Sequence, residues 1–292
     1  MKGEGVPDPT APLTPSGNLR RRQFVSRIAV SGATFAAVGA VAILVIVTYT
    51  VLVRGASALS LEFLYKAAPT GIGPAIVGTA LIVAIATVIA MPLGVLVALF
   101  LTEFAGDRAA RSIRLALDLL NGLPSIIIGL FIFGLLVDHN HQSAYAASIA
   151  LAIIMVPLIA RGSQEILLLV PAALREAADA LGVSRWRTVL GVIFPSALGG
   201  IVTATVLAVA RAAGETAPLL LLSSLGNNEK FSFNIAEALP NIPMTIFTAS
   251  EEANPEAFPR AWGAGFVLLS FIVLASLGAR ALHARSQRKM TS

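Results

Sequence analysis

Six long runs of apolar residues limit what this chain can fold into. Each is close to the roughly 20 residues that a helix needs to cross the hydrocarbon core of a bilayer. The chain is 56% hydrophobic and only 13% charged, about half the charged share of an ordinary soluble domain. A polytopic membrane protein is therefore predicted. Its expected spans lie at residues 28–53, 75–101, 115–137, 144–160, 197–222 and 261–279.

Within these runs the apolar residues are continuous, which indicates helices. A membrane-spanning β-barrel would instead alternate apolar and polar residues in segments of about ten. We therefore expect an all-α fold with six transmembrane helices. Several arginines precede the first run, as they would in a secretion signal, but its 26 residues exceed the roughly 7 to 15 of a signal's apolar region. The first run is interpreted as a retained anchor.

Lysine and arginine predict the orientation, because cytoplasmic loops of membrane proteins carry the excess of these residues. Six spans place both termini on one side, and 16 of the 21 basic residues fall on that side. The opposite side carries Arg54, Lys66, Lys230 and Arg260, while Arg211 lies within a span. Both termini are therefore predicted to be cytoplasmic. This orientation accounts for the net charge of +5 without nucleic-acid binding.

The loops and tails complete the predicted domain organisation. The amino-terminal tail is rich in proline and has no apolar periodicity, which is typical of disorder. No external loop is large enough for a substrate-binding domain, so capture of a solute would need another protein. The predicted segments are a disordered cytoplasmic tail at 1–27, the first transmembrane helix at 28–53, an external loop at 54–74, a transmembrane domain at 75–282 with a coupling loop at 171–195 and an external loop at 223–260, and a cytoplasmic tail at 283–292.

The loop at 171–195, between the fourth and fifth spans, has the pattern of two short helices. Leu174, Ala177, Ala178 and Leu181 recur at helical spacing, and Gly182 suits the end of such a helix. A second helix is expected after Ser184, which can cap it, with Pro195 redirecting the chain at its end. Small and charged residues on this loop suit contact with a cytoplasmic partner. The alternative is an ordinary loop helix lying on the bilayer.

This loop resembles the signature loop of the inner-membrane permeases of ABC importers. That signature is Glu-Ala-Ala, three residues, Gly, nine residues, Ile, one residue and Leu-Pro. Its spacing is kept here with two hydrophobic substitutions, at Glu176, Ala177, Ala178, Gly182, Val192, Phe194 and Pro195. The resemblance implies a type I ABC importer fold and a coupling helix that docks in a groove of a separate ATPase. The docking residues it implies are Glu176, Ala177, Ala178, Gly182 and Trp186.

Two charged residues in the fifth span are candidates for a substrate-binding site. Arg211 lies 16 residues past Pro195, about 24 Å along a helix, and a charge at such a depth is by default a functional-site hypothesis. Glu215 follows at i+4 and can neutralise it. Pro218 cannot donate to the carbonyl of Gly214, which predicts a weak or kinked turn, and broken helices at membrane depth normally line a pathway. Both contact with a tetrahedral oxyanion and purely structural pairing remain open.

The stretch from Arg211 to Leu220 resembles the fifth helix of PstA-type phosphate permeases. Further matches are residues 73–79, residues 121–125 and Arg161. The resemblance implies a permease subunit that passes inorganic phosphate across a bacterial inner membrane by alternating access. It also implies three partners: a PstS-type phosphate-binding protein, a PstC-type permease subunit and a PstB-type ATPase dimer. Sulfate or molybdate transport by a similar permease is one alternative, and a stand-alone secondary transporter or channel is another.

We assign the substrate pathway to Arg211, Glu215, Thr216 and Arg161, although Arg161 at the end of the fourth span also suits positive-inside anchoring. Asp118 and Asn121 are expected to form hydrogen bonds between helices, ahead of a helix kink that is expected at Pro124. Glu103 and Asp107 are expected to be solvated loop charges. We expect no metal site, because the sequence has no cysteine and because His139 and His141 lack further ligands. We expect no catalytic residues or cofactor, since no catalytic motif or Gly-rich phosphate loop is present. ATP hydrolysis is expected on another chain.

Overall fold

The computed structural model describes residues 19–252 and 257–290, and this part of the chain contains helices and no strands. It confirms the predicted all-α fold. Turns of π-helix follow α3, α5 and α8, at Phe100–Phe104, Phe133–Val137 and Val189–Ile193. The α-helices are α1 (Leu19–Ala56), α2 (Leu61–Tyr65), α3 (Gly73–Leu99), α4 (Asp107–Gly122), α5 (Ser125–Ile132), α6 (Ala144–Leu168), α7 (Ala172–Ala180), α8 (Arg185–Thr188), α9 (Phe194–Ala212), α10 (Ala217–Leu222), α11 (Ile242–Glu251) and α12 (Ala257–Met290).

Five helical stretches in the described residues are long and apolar enough to cross a membrane, and a bent pair of helices can supply a sixth span. This agrees with a multi-pass protein. The five stretches are Arg21–Ala56, Gly73–Phe104, Ala144–Leu168, Arg185–Ala212 and Ala257–Gly278.

The predicted third span at 115–137 is wrong as a single helix. The chain forms α4 and then α5 with its π turn, and the two are bent by 95°. Leu123 and Pro124 have extended backbone between them, because the ring of a proline disfavours helical conformation at the preceding residue. One side of α4 packs through Ala110 and Leu117, while its residue Leu119 is exposed.

Two further boundaries differ from the sequence-based expectation. The helix of the fourth span continues beyond residue 160, because α6 ends at Leu168 and contains Arg161. Pro195 does not redirect the chain: it lies in the first turn of α9, and the helical stretch Arg185–Ala212 runs through it. The π turn before α9 rearranges the backbone bonds just where the proline lacks an N–H.

The chain forms two compact units, divided between Thr50 and Val51. The first unit contains most of α1, which begins at Leu19, so the predicted disordered tail ends too late at 27. Residues 1–18 of that tail lie outside the described residues. At the other end, α12 continues to Met290 and includes most of the predicted tail at 283–292.

In the second unit, α3, α6 and α9 supply most of one buried apolar cluster. Small residues bring α6 and α9 together. A Cβ added to Gly162 would lie 2.7 Å from the Cβ of Ala204, and one added to Gly200 would lie 2.4 Å from a side-chain carbon of Ile166. Close approach through small residues is typical of helices packed in a membrane. It fixes α9, which carries Arg211, against the centre of the unit.

Candidate functional site

The first helix of the coupling loop ends in a motif that favours glycine. Gly182 has a φ of +66°. Its N–H donates to the carbonyl of Asp179, and the N–H of Val183 donates to the carbonyl of Ala178, each at 3.0 Å. These two bonds form a Schellman motif, in which the residue after the helix adopts the left-handed conformation. The prediction that Gly182 terminates the helix is confirmed, and the motif turns the chain towards α8.

The surface of this loop is more apolar than a solvated loop requires. Leu174, Leu181 and Trp186 are exposed, as are Glu176 and Ala177 of the signature, while Ala178 is buried. The apolar stripe of α7 therefore faces largely outward. Exposed apolar residues next to charged ones are typical of a protein contact surface.

The second helix of the loop begins at Arg185, as predicted, although the Ser184 side chain makes no capping hydrogen bond. Trp186 packs against Phe104 with ring centroids 5.0 Å apart. The guanidinium of Arg185 lies 5.7 Å from the centre of the same ring. Trp186 is still 56% exposed, so it can contact a partner while one side of its ring is held in place.

Glu103 was expected to be a solvated loop charge, and this was wrong. It is only 4% exposed and pairs with Arg175 of α7, with Nη2 of the arginine 2.8 Å from Oε1 of the glutamate. Asp107, predicted in the same way, is exposed. The π turn at the end of α3 extends the helix as far as Glu103. No local spacing could reveal a pair separated by 72 positions.

The break predicted in the fifth span is present, and both candidate charges lie at it. α9 ends at Ala212, just after Arg211, and α10 begins at Ala217. Glu215 therefore does not share a helix face with Arg211, but Nε of the arginine lies 3.6 Å from Oε1 of the glutamate. Thr216 occupies the position before α10. The charges and the hydroxyl are thus grouped at one interruption of the membrane helices.

The two charges differ in exposure. The Arg211 side chain is 61% exposed and that of Glu215 is 16% exposed. No hydrogen bond joins the Arg211 guanidinium to another described residue. A carboxylate 3.6 Å away orients the guanidinium without occupying its five donors. The arrangement can accept an anion with several oxygens on the open side of the arginine.

Arg161 has a different partner and forms an ion pair with Asp118 of α4. Its Nε is buried without a hydrogen-bond partner. Asp118 therefore does join two helices, as expected, whereas the Asn121 side chain is exposed. Arg161 therefore has its partner on α4, whereas the partner of Arg211 is Glu215 at the break after α9.

A polar opening lies beside Asp118. Its volume is about 510 Å³. On α6, Gln164 accepts from Nη2 and Nε of Arg114 at 3.1 and 3.2 Å once its amide oxygen faces the arginine. The opening is lined by Leu101, Ala105, Asp107, Ala110, Arg111, Arg114, Leu115 and Asp118. Within the described residues, no group of three or more histidines, aspartates and glutamates is placed to hold a metal ion, here or elsewhere.

Comparison with known proteins agrees with the geometry of the loop and of the spans. Residues 90–291 match the family model described as binding-protein-dependent transport system inner membrane component. The chain is 33% identical over 276 residues to the phosphate transport system permease protein PstA of Xylella fastidiosa, covering 92% of this chain and 96% of that protein. It is 37% identical over 235 residues to PstA of Haemophilus influenzae, covering 78% and 82%.

Solved structures with low sequence identity have the same fold. A bacterial alginate ABC transporter bound to its periplasmic protein matches with a TM-score of 0.63 and 13% identity, over 88% of this chain and 97% of that one. The inward-facing MetNI methionine ABC transporter matches with a TM-score of 0.59 and 18% identity, over 78% and 99%. The chain belongs to the family of binding-protein-dependent transport system inner membrane components and, within it, to the PstA-type permeases.

Proposed function

We propose that this chain is the permease subunit of an ATP-driven importer of inorganic phosphate in the bacterial inner membrane, with both termini in the cytoplasm. The observation that carries the proposal is the exposed Arg211 guanidinium at a helix break, in a chain with PstA relatives along most of its length. Its proposed partners are a PstS-type binding protein, a PstC-type permease and a PstB-type ATPase dimer.

In this proposal Arg211 stabilises the passing anion. A phosphate ion presents tetrahedrally arranged oxygens, and a guanidinium donates to two of them at once through its planar fork. Removing an anion from water is costly at membrane depth, and a fixed positive charge offsets part of that cost. The position of Arg211 in the last turn of α9 also favours its charge, because the carboxyl end of a helix is partly negative.

Glu215 has two roles in the proposal. Its carboxylate, 3.6 Å from Arg211 Nε, holds the arginine near the break. It also accepts a hydrogen bond from a protonated oxygen of phosphate. Fully ionised sulfate has no proton to donate, so the glutamate repels it. The Thr216 hydroxyl, next to Glu215, is a further donor for the anion. Arg161 is proposed to act later on the pathway, with Asp118 as its partner in the absence of anion.

The coupling loop is proposed to dock in a groove of the ATPase through Glu176, Ala177, Gly182 and Trp186, with Ala178 packed behind them. From Arg185 to Ala212 the chain is one helical stretch of 28 residues, about 40 Å long. A helix of this length connects a displacement of the loop directly to Arg211. Alternating access then exposes the arginine first to one side of the membrane and next to the other.

Replacing Glu215 by glutamine tests the substrate. In vesicles that contain the purified importer, unlabelled phosphate should compete with labelled phosphate, while sulfate should compete poorly. With Glu215→Gln, we expect sulfate to compete about tenfold better, because the carboxylate that repels it is gone and a charge-assisted hydrogen bond to phosphate is lost. Glu229→Gln, at an exposed loop glutamate, should leave the competition unchanged. Equal competition by sulfate and phosphate in the unaltered importer would refute the phosphate assignment.

A further inference from the structure

Two consecutive residues at the end of the second span contact both helices of the coupling loop. Glu103 and Phe104 belong to the π turn that extends α3. Arg175 of α7 contacts the first of them, and Arg185 and Trp186 of α8 contact the second. We call Glu103 and Phe104 the α3 anchor. Nothing in the signature of the loop points to this part of the chain.

The side chain of Glu103 forms a largely buried ion pair with Arg175. Arg175 Nη2 and Nε lie 2.8 and 3.2 Å from Oε1 of Glu103. Nη1 of the same arginine donates to the carbonyl of Val170 at 2.8 Å, and Nη2 also donates to that of Leu167 at 3.1 Å. Leu167 lies in the last turn of α6 and Val170 follows the end of that helix, a region where carbonyls lack partners within the helix. One guanidinium therefore joins α3, α6 and α7.

The ring of Phe104 contacts α8, the second helix of the coupling loop. Its ring lies 5.0 Å from that of Trp186, at an interplanar angle of 50°. A tilted arrangement at this distance is favourable for aromatic pairs, and the Arg185 guanidinium, 5.7 Å from the ring centre, adds a cation–π attraction. A cavity of about 70 Å³ beside the ion pair is also lined by Asp179 and Arg185. Charges of both loop helices thus surround Glu103.

We infer that the α3 anchor carries movement of the docked coupling loop to α3. This inference rests on the proposed docking of an ATPase to the loop. The polypeptide itself connects the loop only to α6 and α9, at the two ends of residues 171–195. The anchor adds a third connection, made by side chains, to the helix that packs beside α6 in the central cluster. Glu103 and Phe104 are therefore positioning residues, because they act through α3 and do not touch the anion.

Replacing Glu103 by glutamine in the complete importer tests the inference. Glutamine has nearly the same shape but removes the charge that holds Arg175. We expect the ATPase to co-purify as before and to hydrolyse ATP at a similar rate, while phosphate uptake falls about tenfold, a typical size for the loss of coupling between two sites. Arg175→Lys should give the same pattern more weakly, because lysine keeps the charge but lacks the planar fork. Glu103→Asp should restore part of the uptake.

Asp107→Asn is the matched control, since Asp107 is an exposed carboxylate at the start of α4, shortly after Glu103 in the chain; its ratio of phosphate imported to ATP hydrolysed should not change. Unchanged uptake in Glu103→Gln would overturn the inference. So would equal losses of assembly, hydrolysis and uptake in both Glu103→Gln and Arg175→Lys, since that pattern indicates a purely structural role. If the unaltered complex lacked an ATPase, the proposed function would fail as well, and this result is distinct from the other two.

Discussion

Phosphate uptake is expected to fall by about a hundredfold when Arg211 is replaced by glutamine, because the proposed hydrogen bonds from the charged guanidinium to the anion, each worth about 1.5–3 kcal/mol, are lost. Glutamine keeps a polar group at the helix break but has neither the positive charge nor the forked donors. Glu215, only 16% exposed, would then remain as an uncompensated negative charge beside the path of an anion. Both changes raise the barrier to anion passage. Uptake of labelled phosphate by vesicles containing the complete importer measures the effect.

Assembly should survive this substitution. The Arg211 side chain is largely exposed, and the packing of α9 on α6 depends on other residues, such as Gly162 and Gly200. The ATPase should therefore co-purify with the Arg211→Gln protein in normal amount. Arg108→Gln, at an exposed arginine of α4, serves as the control and should transport normally. Normal uptake by Arg211→Gln would refute the role of Arg211 in the pathway.

Replacement of Gly182 by valine is expected to remove most of the bound ATPase. The φ of +66° at Gly182 costs an ordinary L-residue roughly 1–2 kcal/mol, and a β-branched residue is a clear outlier there. The Schellman motif would then open, and α7 would lose its angle to α8. We expect recovery of the ATPase in a pull-down from mild detergent to fall about tenfold, the change that corresponds to about 1.4 kcal/mol.

Replacing Gly182 by asparagine distinguishes an effect on the backbone conformation from an effect on direct contact with the ATPase. Asparagine adopts the left-handed conformation more readily than other residues that carry a Cβ, and a Cβ at Gly182 would meet no atom of the described residues within 4 Å. Gly182→Asn should therefore retain the ATPase. If it loses the ATPase as fully as Gly182→Val does, the glycine is needed for close contact with the partner rather than for its backbone conformation.

Much of the candidate site could be predicted because its signals are local. The end of α7 at Gly182 follows from the rule that a residue in the left-handed conformation terminates a helix. The interruption between α9 and α10 follows from Gly214 and Pro218, since the missing N–H of a proline breaks the ladder of hydrogen bonds. The helix end and the helix break each depend on interactions within about four residues, so local residue types and their spacing are enough to predict their positions.

Other features could not be predicted, since they depend on which helices come together. The bend of 95° between α4 and α5 was expected only as a kink at Pro124, because hydropathy does not distinguish a straight span from a broken one. Glu103 was predicted to be solvated, yet it is buried against Arg175. Arg161 was placed at a helix end, whereas α6 continues past it and pairs it with Asp118. The errors at Glu103 and Arg161 concern partners distant in the chain.

The sequence by itself determined that this chain is a helical membrane protein with a signature loop and a charged break in one span. These properties depend on apolar runs, glycine and proline, whose effects are exerted on neighbouring residues. Only the tertiary structure decided which charges pair: Arg175 with Glu103, and Arg161 with Asp118. A charge removed from water is stabilised by an oppositely charged partner, and helix packing determines which residue that partner is. The coupling loop thereby gains a contact with α3 as well as its chain connection to α9.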